Sequence, residues 1–91
     1  MKNNIITGGA VISNVLKSFG IKTTFALAGA SHTYLLDALD NDDFNVILSR
    51  HETATVAAAD GYSRISGKPG VALIVSDQGI PNAITGILSA Y

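Results

Sequence analysis

Residues 44–76 read FNVILSRHETATVAAADGYSRISGKPGVALIVS. Two apolar runs flank a longer stretch of small residues. Phe44–Ser49 and Gly70–Ser76 are each too short for a stable helix and apolar without alternation, the pattern of strands buried on both faces. Between them, Glu52 to about Ile65 has the length of a helix in spite of Thr53, Thr55 and Val56, which disfavour one. Strand, helix and strand in that order form a βαβ unit, and such units build parallel sheets with helices on their faces.

The same alternation continues outward. Upstream, Thr7 is a candidate N-cap, followed by Val11, Val15, Leu16 and Phe19 at helical spacing and stopped by Gly20. Thr23–Gly29 (TTFALAG) reads as a short strand ending in a turn of small residues, and HTYLLDALD puts Tyr34, Leu35, Ala38 and Leu39 on one helical stripe. Downstream, DQGIPN (Asp77–Asn82) is a turn, and Asn82–Tyr91 begins a further helix. The expected fold class is therefore α/β, a parallel sheet with helices on both faces. Its last helix runs to the final residue with no stop signal, so residues 1–91 are expected to be an incomplete portion of a domain.

Composition narrows the function. The chain has 91 residues, of which 47% are hydrophobic and 14% charged. The charged fraction is low against the roughly 25% usual for soluble domains, so part of the surface is expected to be covered. Six Lys and Arg against seven Asp and Glu make no basic patch, which argues against nucleic acid and anionic membranes as partners. Cysteine is absent, excluding disulfides and thiolate chemistry. The N-terminal stretch MKNNIITGGAV is a poor secretory signal, and the longest aliphatic run, Val71–Val75, is far too short to span a bilayer. These features point to a cytoplasmic setting.

Several motifs fail on spacing. His51-Glu52 lacks the second histidine of a zinc-protease helix, since Thr55 stands in its place. No metal ligand set is expected in the segment. The spacing from Gly61 to Gly67 is one residue too long for a phosphate-binding loop, and Pro69 replaces the hydroxyl that would hold magnesium. The glycines of ALAGAS and DQGIPN do not form a dinucleotide fingerprint. Ser31-His32 reads better as a polar pair at a helix start than as nucleophile and base.

Glu52 is what remains. A carboxylate at a helix start is favoured by the helix dipole for no functional reason. Glu52, however, follows a parallel strand, on the sheet edge where open α/β sheets bind ligands, and the DQGIPN turn follows the next strand on the same edge. With no partner acid, base or metal cluster nearby in sequence, a lone carboxylate suggests that a cofactor supplies the chemistry.

The stretch RHETATVAAADGYSRISGKPGVALIVSDQGIPNAITGILSAY (50–91) resembles the pyrimidine-binding N-terminal domain of thiamine-diphosphate-dependent enzymes, in the group of acetolactate synthase, pyruvate oxidase and benzaldehyde lyase. The pattern there is R-H-E, small residues, A-D-G-Y-A-R-x-[ST]-G-x-P-G-V, then S-G-P-G-x-x-N. The matches are Arg50, His51, Glu52, Ala59, Asp60, Gly61, Tyr62, Arg64, Gly67, Lys68, Pro69, Gly70, Val71, Ser76, Gly79 and Asn82. TGGAVISNVLKSFGIKTTFALAG resembles the family's opening helix and F-G-x-P-G turn. The departures are Asp77 and Gln78 for Gly-Pro, Pro81 for Thr, and Ala26 and Ala28 for the Gly and Pro of the first turn.

The resemblance implies roles. Glu52 would hydrogen-bond N1′ of the aminopyrimidine, favouring the imino tautomer that takes the C2 proton and leaves an ylid to attack a 2-oxo acid such as pyruvate. Gln78, Gly79 and Asn82 would lie against the pyrimidine, with Gly29, Ala28 and His51 on the substrate side. The intact enzyme would be a lyase, decarboxylase or transferase acting on a carbon–carbon bond beside a carbonyl. It would use thiamine diphosphate, with Mg2+ ligands outside this segment, and the resemblance admits FAD. Active sites would form at the subunit interface of a homodimer or tetramer, and Ala57, Ala58 and Gly61 are candidates for that contact or for ordinary packing on the sheet. Proton handling by Glu52 leads to the expectation of a pKa raised by burial, and Asp77, if close, would add to the rise. The segment alone is expected to be inactive. Two other readings stay open, a catalytically silent α/β binding or dimerisation module and an unrelated flavodoxin-like nucleotide-binding domain.

Overall fold

The computed structural model describes residues 6–91, so the first five residues of the stretch read as a poor secretory signal lie outside the described residues. Helix α1 (Gly8–Ser18) leads into strand β1 (Thr23–Ala26). A single 3-10 turn (Ala30–His32) precedes α2 (Thr33–Asn41), which is followed by β2 (Asn45–Leu48), α3 (Glu52–Ser66), β3 (Ala72–Leu73) and α4 (Gly79–Ala90). The element order matches the sequence expectation. All strand pairings are parallel, in the order β2-β1-β3.

β1 is central, with Thr23 to Ala26 opposite Asn45 to Leu48 on one side and Phe25 and Ala26 opposite Ala72 and Leu73 on the other. Side chains alternate along a strand, and β1 shows what covers each face. Ala26 sits in the core with Ile21, Leu39, Phe44 and Leu73, under α2, while Phe25 on the opposite face meets Tyr62 of α3 edge-on at 5.6 Å. This agrees with right-handed crossovers, because a chain that steps from β1 to β2 and then back across to β3 must put α2 and α3 on opposite faces.

The strands are shorter than their apolar runs. β3 keeps two residues of the expected seven. Pairing nonetheless extends past the strand ends, with Phe25 N–H donating to Val71 O at 2.9 Å and Leu27 N–H to Leu73 O at 3.0 Å. Helices lie on both faces of the sheet as expected, while β2, at its edge, leaves Ile47 and Leu48 exposed.

Of the apolar stripe of α1, only Leu16 packs against the core. Val11, Val15 and Phe19 are exposed, and the buried positions are Gly9 and Ser13. Close approach to α2 explains this. A Cβ on Gly9 would lie 2.7 Å from the Tyr34 carbonyl oxygen, and Ser13 Oγ donates to Asp42 at 2.5 Å. Only small residues fit, so the larger ones point away. On α2, Leu39 is buried as expected, whereas Tyr34 is exposed.

Candidate active site

The chain passes from β1 to one side and then to the other, so the direction of winding reverses between β1 and β3. Open α/β sheets bind ligands at the carboxyl ends of strands flanking such a reversal. The loops that border this crevice touch, since a Cβ on Gly29, after β1, would stand 2.9 Å from Val75 Cγ2, after β3.

α3 starts at Glu52 because His51 is extended (φ −153°, ψ 145°) and caps the helix, its Nδ1 accepting from Thr53 N–H at 3.0 Å. An accepting Nδ1 is unprotonated, so the neutral ring carries its proton on Nε2. Glu52 is the first helical residue and is 3% exposed. Its Oε1 accepts from Asn82 Nδ2 at 3.1 Å. Oε2 faces Gly79, where a Cβ would lie 3.3 Å away. Two helix starts, those of α3 and α4, therefore meet on one carboxylate.

α4 begins at Gly79, three residues before the expected start. Asp77 allows this by taking a left-handed backbone (φ 67°), which turns the chain sharply after β3. Asn82 is thereby the fourth residue of α4 rather than its first. Its main-chain carbonyl accepts from Thr53 Oγ1 at 2.6 Å. Deeper in α3, Thr55 Oγ1 bonds the His51 carbonyl at 3.0 Å and also meets Ser49 Oγ, tying the helix to the end of β2.

In this chain by itself the carboxyl is shifted down, opposite to the rise expected with cofactor bound. Burial pushes the Glu52 carboxyl upward, but the Asn82 amide, backbone hydrogen bonding from Glu52 and Val75, and the nearby His51 together hold it below the ordinary carboxylate value. Asp77 is exposed and is not among the groups acting on it.

The residues named from sequence separate into groups. Glu52, Gly79 and Asn82 are in contact. His51 joins them through the helix cap, with its ring exposed, and Gly29 adjoins by way of Val75. Gln78 is exposed and makes no cap bond to α4. Ala28 borders a different hollow, beside Leu36 of α2 and Leu48 of β2. Thr53 and the backbone of Val75 were not anticipated. Thr53 had a signal, since a β-branched residue inside a helix needs a reason.

An aminopyrimidine cofactor fits what is here. A carboxylate shielded from water is the acceptor a protonated ring nitrogen requires, and the absence of a side chain at Gly79 leaves the flank of Oε2 clear. Residues 6–91 match a known family, the thiamine pyrophosphate enzymes, over their N-terminal TPP-binding domain. The chain belongs to that family.

Individual relatives agree. A probable 2-ketoarginine decarboxylase of Pseudomonas aeruginosa is 35% identical over 86 residues, 94% of this chain and 15% of the relative. The mitochondrial acetolactate synthase catalytic subunit of Saccharomyces cerevisiae is 36% identical over 87 residues, 94% of this chain and 13% of that one. The acetolactate synthase large subunit of Buchnera aphidicola is 42% identical over 88 residues, 96% and 15% of the two chains. The chain thus spans only about a seventh of the length of the curated relatives it matches.

Most of the motif shared with this thiamine pyrophosphate family builds the frame. Asp60 accepts from Arg64 Nε at 3.0 Å, and Arg64 donates onward to Ser89 O at 3.1 Å, in the last turn of α4. Arg64 thus links α3 to α4. Gly67 ends α3 in a left-handed conformation (φ 75°). Gly70 passes so close to Ala59 that a Cβ would stand 2.2 Å from its carbonyl oxygen. Ala57, Ala58 and Gly61 are exposed, and the tight packing against α4 uses Val56 and Gly86 instead.

Proposed function

We propose that residues 1–91 are the first portion of the pyrimidine domain of a longer thiamine-diphosphate-dependent enzyme, and that Glu52 is its proton-handling carboxyl. The observation that carries the reading is the Glu52–Asn82 pair, shielded at the carboxyl edge of a parallel sheet between two helix starts. When bound, the cofactor supplies the electron sink for making or breaking a carbon–carbon bond beside a carbonyl. The substrate is a 2-oxo acid, a reading supported by relatives named as acetolactate synthases and a 2-ketoarginine decarboxylase.

The residues divide the work. Asn82 fixes Oε1 and leaves Oε2 to hold or release a proton at a ring nitrogen. Gly79 sets no side chain against that oxygen, and Gly79, Asn82 and Gln78 border the ring. His51 presents Nε2–H on the substrate side, with Gly29 on the loop after β1; Ala28, which borders another hollow, takes no part. In this chain by itself the carboxyl's pKa lies below its ordinary value. A ring laid over it would strengthen desolvation, the one influence already acting upward, and bring the carboxyl toward a protonatable state. Magnesium and the diphosphate belong to another part of the enzyme in this reading. In this reading the intact enzyme is a homodimer or tetramer whose active site lies at a subunit interface.

The test uses the full-length enzyme loaded with thiamine diphosphate. Glu52→Gln is expected to slow exchange of the cofactor's C2 proton by about 10²–10⁴-fold, the usual contribution of a positioned acid–base group. Exchange at the parental rate would overturn the assignment.

A further inference from the structure

We propose that Thr53 is a positioning residue, whose hydroxyl holds the first turn of α4 so that the Asn82 amide stays on Glu52. The proposal rests on the reading of Glu52 given above. Asn82 is held at two points from two consecutive residues of α3. Glu52 takes its side-chain amide at 3.1 Å, and Thr53 Oγ1 donates to its main-chain carbonyl at 2.6 Å. One tether would set a distance. Two set an orientation, which is what a hydrogen bond to one chosen carboxylate oxygen demands.

The arrangement has no local explanation. A helical threonine ordinarily turns its hydroxyl back to the carbonyl three or four residues earlier. Thr55 does so, bonding His51 O at 3.0 Å. Thr53 is the second residue of α3, and the positions three and four before it, Arg50 and Ser49, precede the helix. With no helical carbonyl behind it, its hydroxyl is free to reach across to α4.

α4 needs the tether. Its first turn starts after a left-handed residue, Asp77, and Gln78 provides no side-chain cap. The Ile80 N–H finds the Asp77 carbonyl at 3.3 Å and Pro81 has none to satisfy, but a start without a side-chain cap remains prone to fray. Arg64 secures the other end of α4 through Ser89 O, 25 residues away in sequence. Thr53 and Arg64 therefore clamp α4 to α3 at its two ends, and only the Thr53 clamp bears on the site.

The experiment compares Thr53→Val, which keeps the shape and removes the hydroxyl, with Thr53→Ser, which keeps the hydroxyl. Thr53→Ala, a better helix former, stands in should the valine variant not fold. The first readout is the Asn82 side-chain amide in cofactor-free full-length protein with selectively labelled asparagine. Its protons are expected to exchange with water about tenfold faster in Val or Ala, the effect of one lost hydrogen bond, and at near-parental rates in Ser. The second is C2-proton exchange of bound thiamine diphosphate, expected to slow about tenfold in Val or Ala and to be rescued in Ser.

Parental amide exchange in the hydroxyl-free variants would overturn the proposal, as would a loss in all variants that merely tracks melting temperature. Glu52→Gln run alongside separates the two ideas. If that variant exchanges the C2 proton at the parental rate, the reading of Glu52 fails, while the amide exchange still decides what Thr53 does.

Discussion

Glycine to alanine at two places on the α3–β3 unit should have opposite effects. At Gly70 a Cβ would stand 2.2 Å from the Ala59 carbonyl oxygen, 2.8 Å from its carbon and 3.3 Å from its Cα. An ordinary C···O contact is about 3.3–3.6 Å, so the oxygen must retreat by roughly 1 Å or more. Neither side can rotate aside. The oxygen is main chain within α3, and Gly70 leads directly to Val71, whose carbonyl is bonded to Phe25 of the central strand at 2.9 Å. Overpacking costs about 1–3 kcal/mol, and a clash between two backbones belongs at the top of that range.

A loss of about 3 kcal/mol lowers Tm by roughly 12–24 °C in a cooperative unit of 60–100 residues, and by about 6–12 °C in one of 150–250. Gly61 lies in the interior of the same helix with nothing within 4 Å of a built Cβ. There alanine gains about 0.5–1 kcal/mol of helix propensity, and Tm should rise by a few degrees. Calorimetry of the cofactor-free full-length protein reads both. A Gly70→Ala protein melting within a degree of the parent would refute the close packing of α3 on the β3 segment. A fall for Gly61→Ala would refute the open face and show that another surface covers it.

Two further predictions concern the site. Asp77 holds φ 67°, where a side chain costs about 1 kcal/mol, so Asp77→Gly should match or exceed parental stability in urea unfolding while Asp77→Val loses about 1–2 kcal/mol. Glu52 has its folded pKa depressed below the ordinary 4.5, chiefly by Asn82 acting against burial, so its contribution to stability is complete above that pH and is lost as pH falls through the lowered value. Acid unfolding should therefore begin at higher pH in Asn82→Ala, and a Glu52→Gln curve overlaying the parent's would remove Glu52 from this linkage.

The order of elements and the parallel sheet were legible because continuous apolar strands and glycine stops are local signals. What lay beyond reach was set by distance of approach. Val11, Val15 and Phe19 share helical periodicity with Leu16, which packs on the core, and still face outward, because the α1–α2 contact admits only Gly9 and Ser13. α4 starts early because Asp77 takes a conformation usually left to glycine. Glu52 was found from its place after a strand, yet the direction of its pKa depended on an amide 30 residues away. Thr53, Thr55 and Val56 were noticed as poor helix formers. Each is spent on a contact outside its own helix: Thr53 on Asn82, Thr55 on Ser49, Val56 on Gly86.

The departures from the family pattern can be weighed by the same geometry. Pro81 falls in the first turn of α4, where the N–H it lacks has no helical acceptor, so the turn forms without loss. Asp77 adopts the left-handed backbone that the family's glycine would adopt more cheaply, and the chain still turns. Both substitutions leave Gly79 and Asn82 against Glu52. They do change the rim, adding a carboxylate at Asp77 and an amide at Gln78, both exposed. The frame that carries the motif is therefore separable from the surface that would meet a substrate. In the proposed reading, C2-proton exchange by the full-length enzyme should survive exchange of residues 77 and 78 for the family's Gly-Pro, whereas its discrimination among substrates should not.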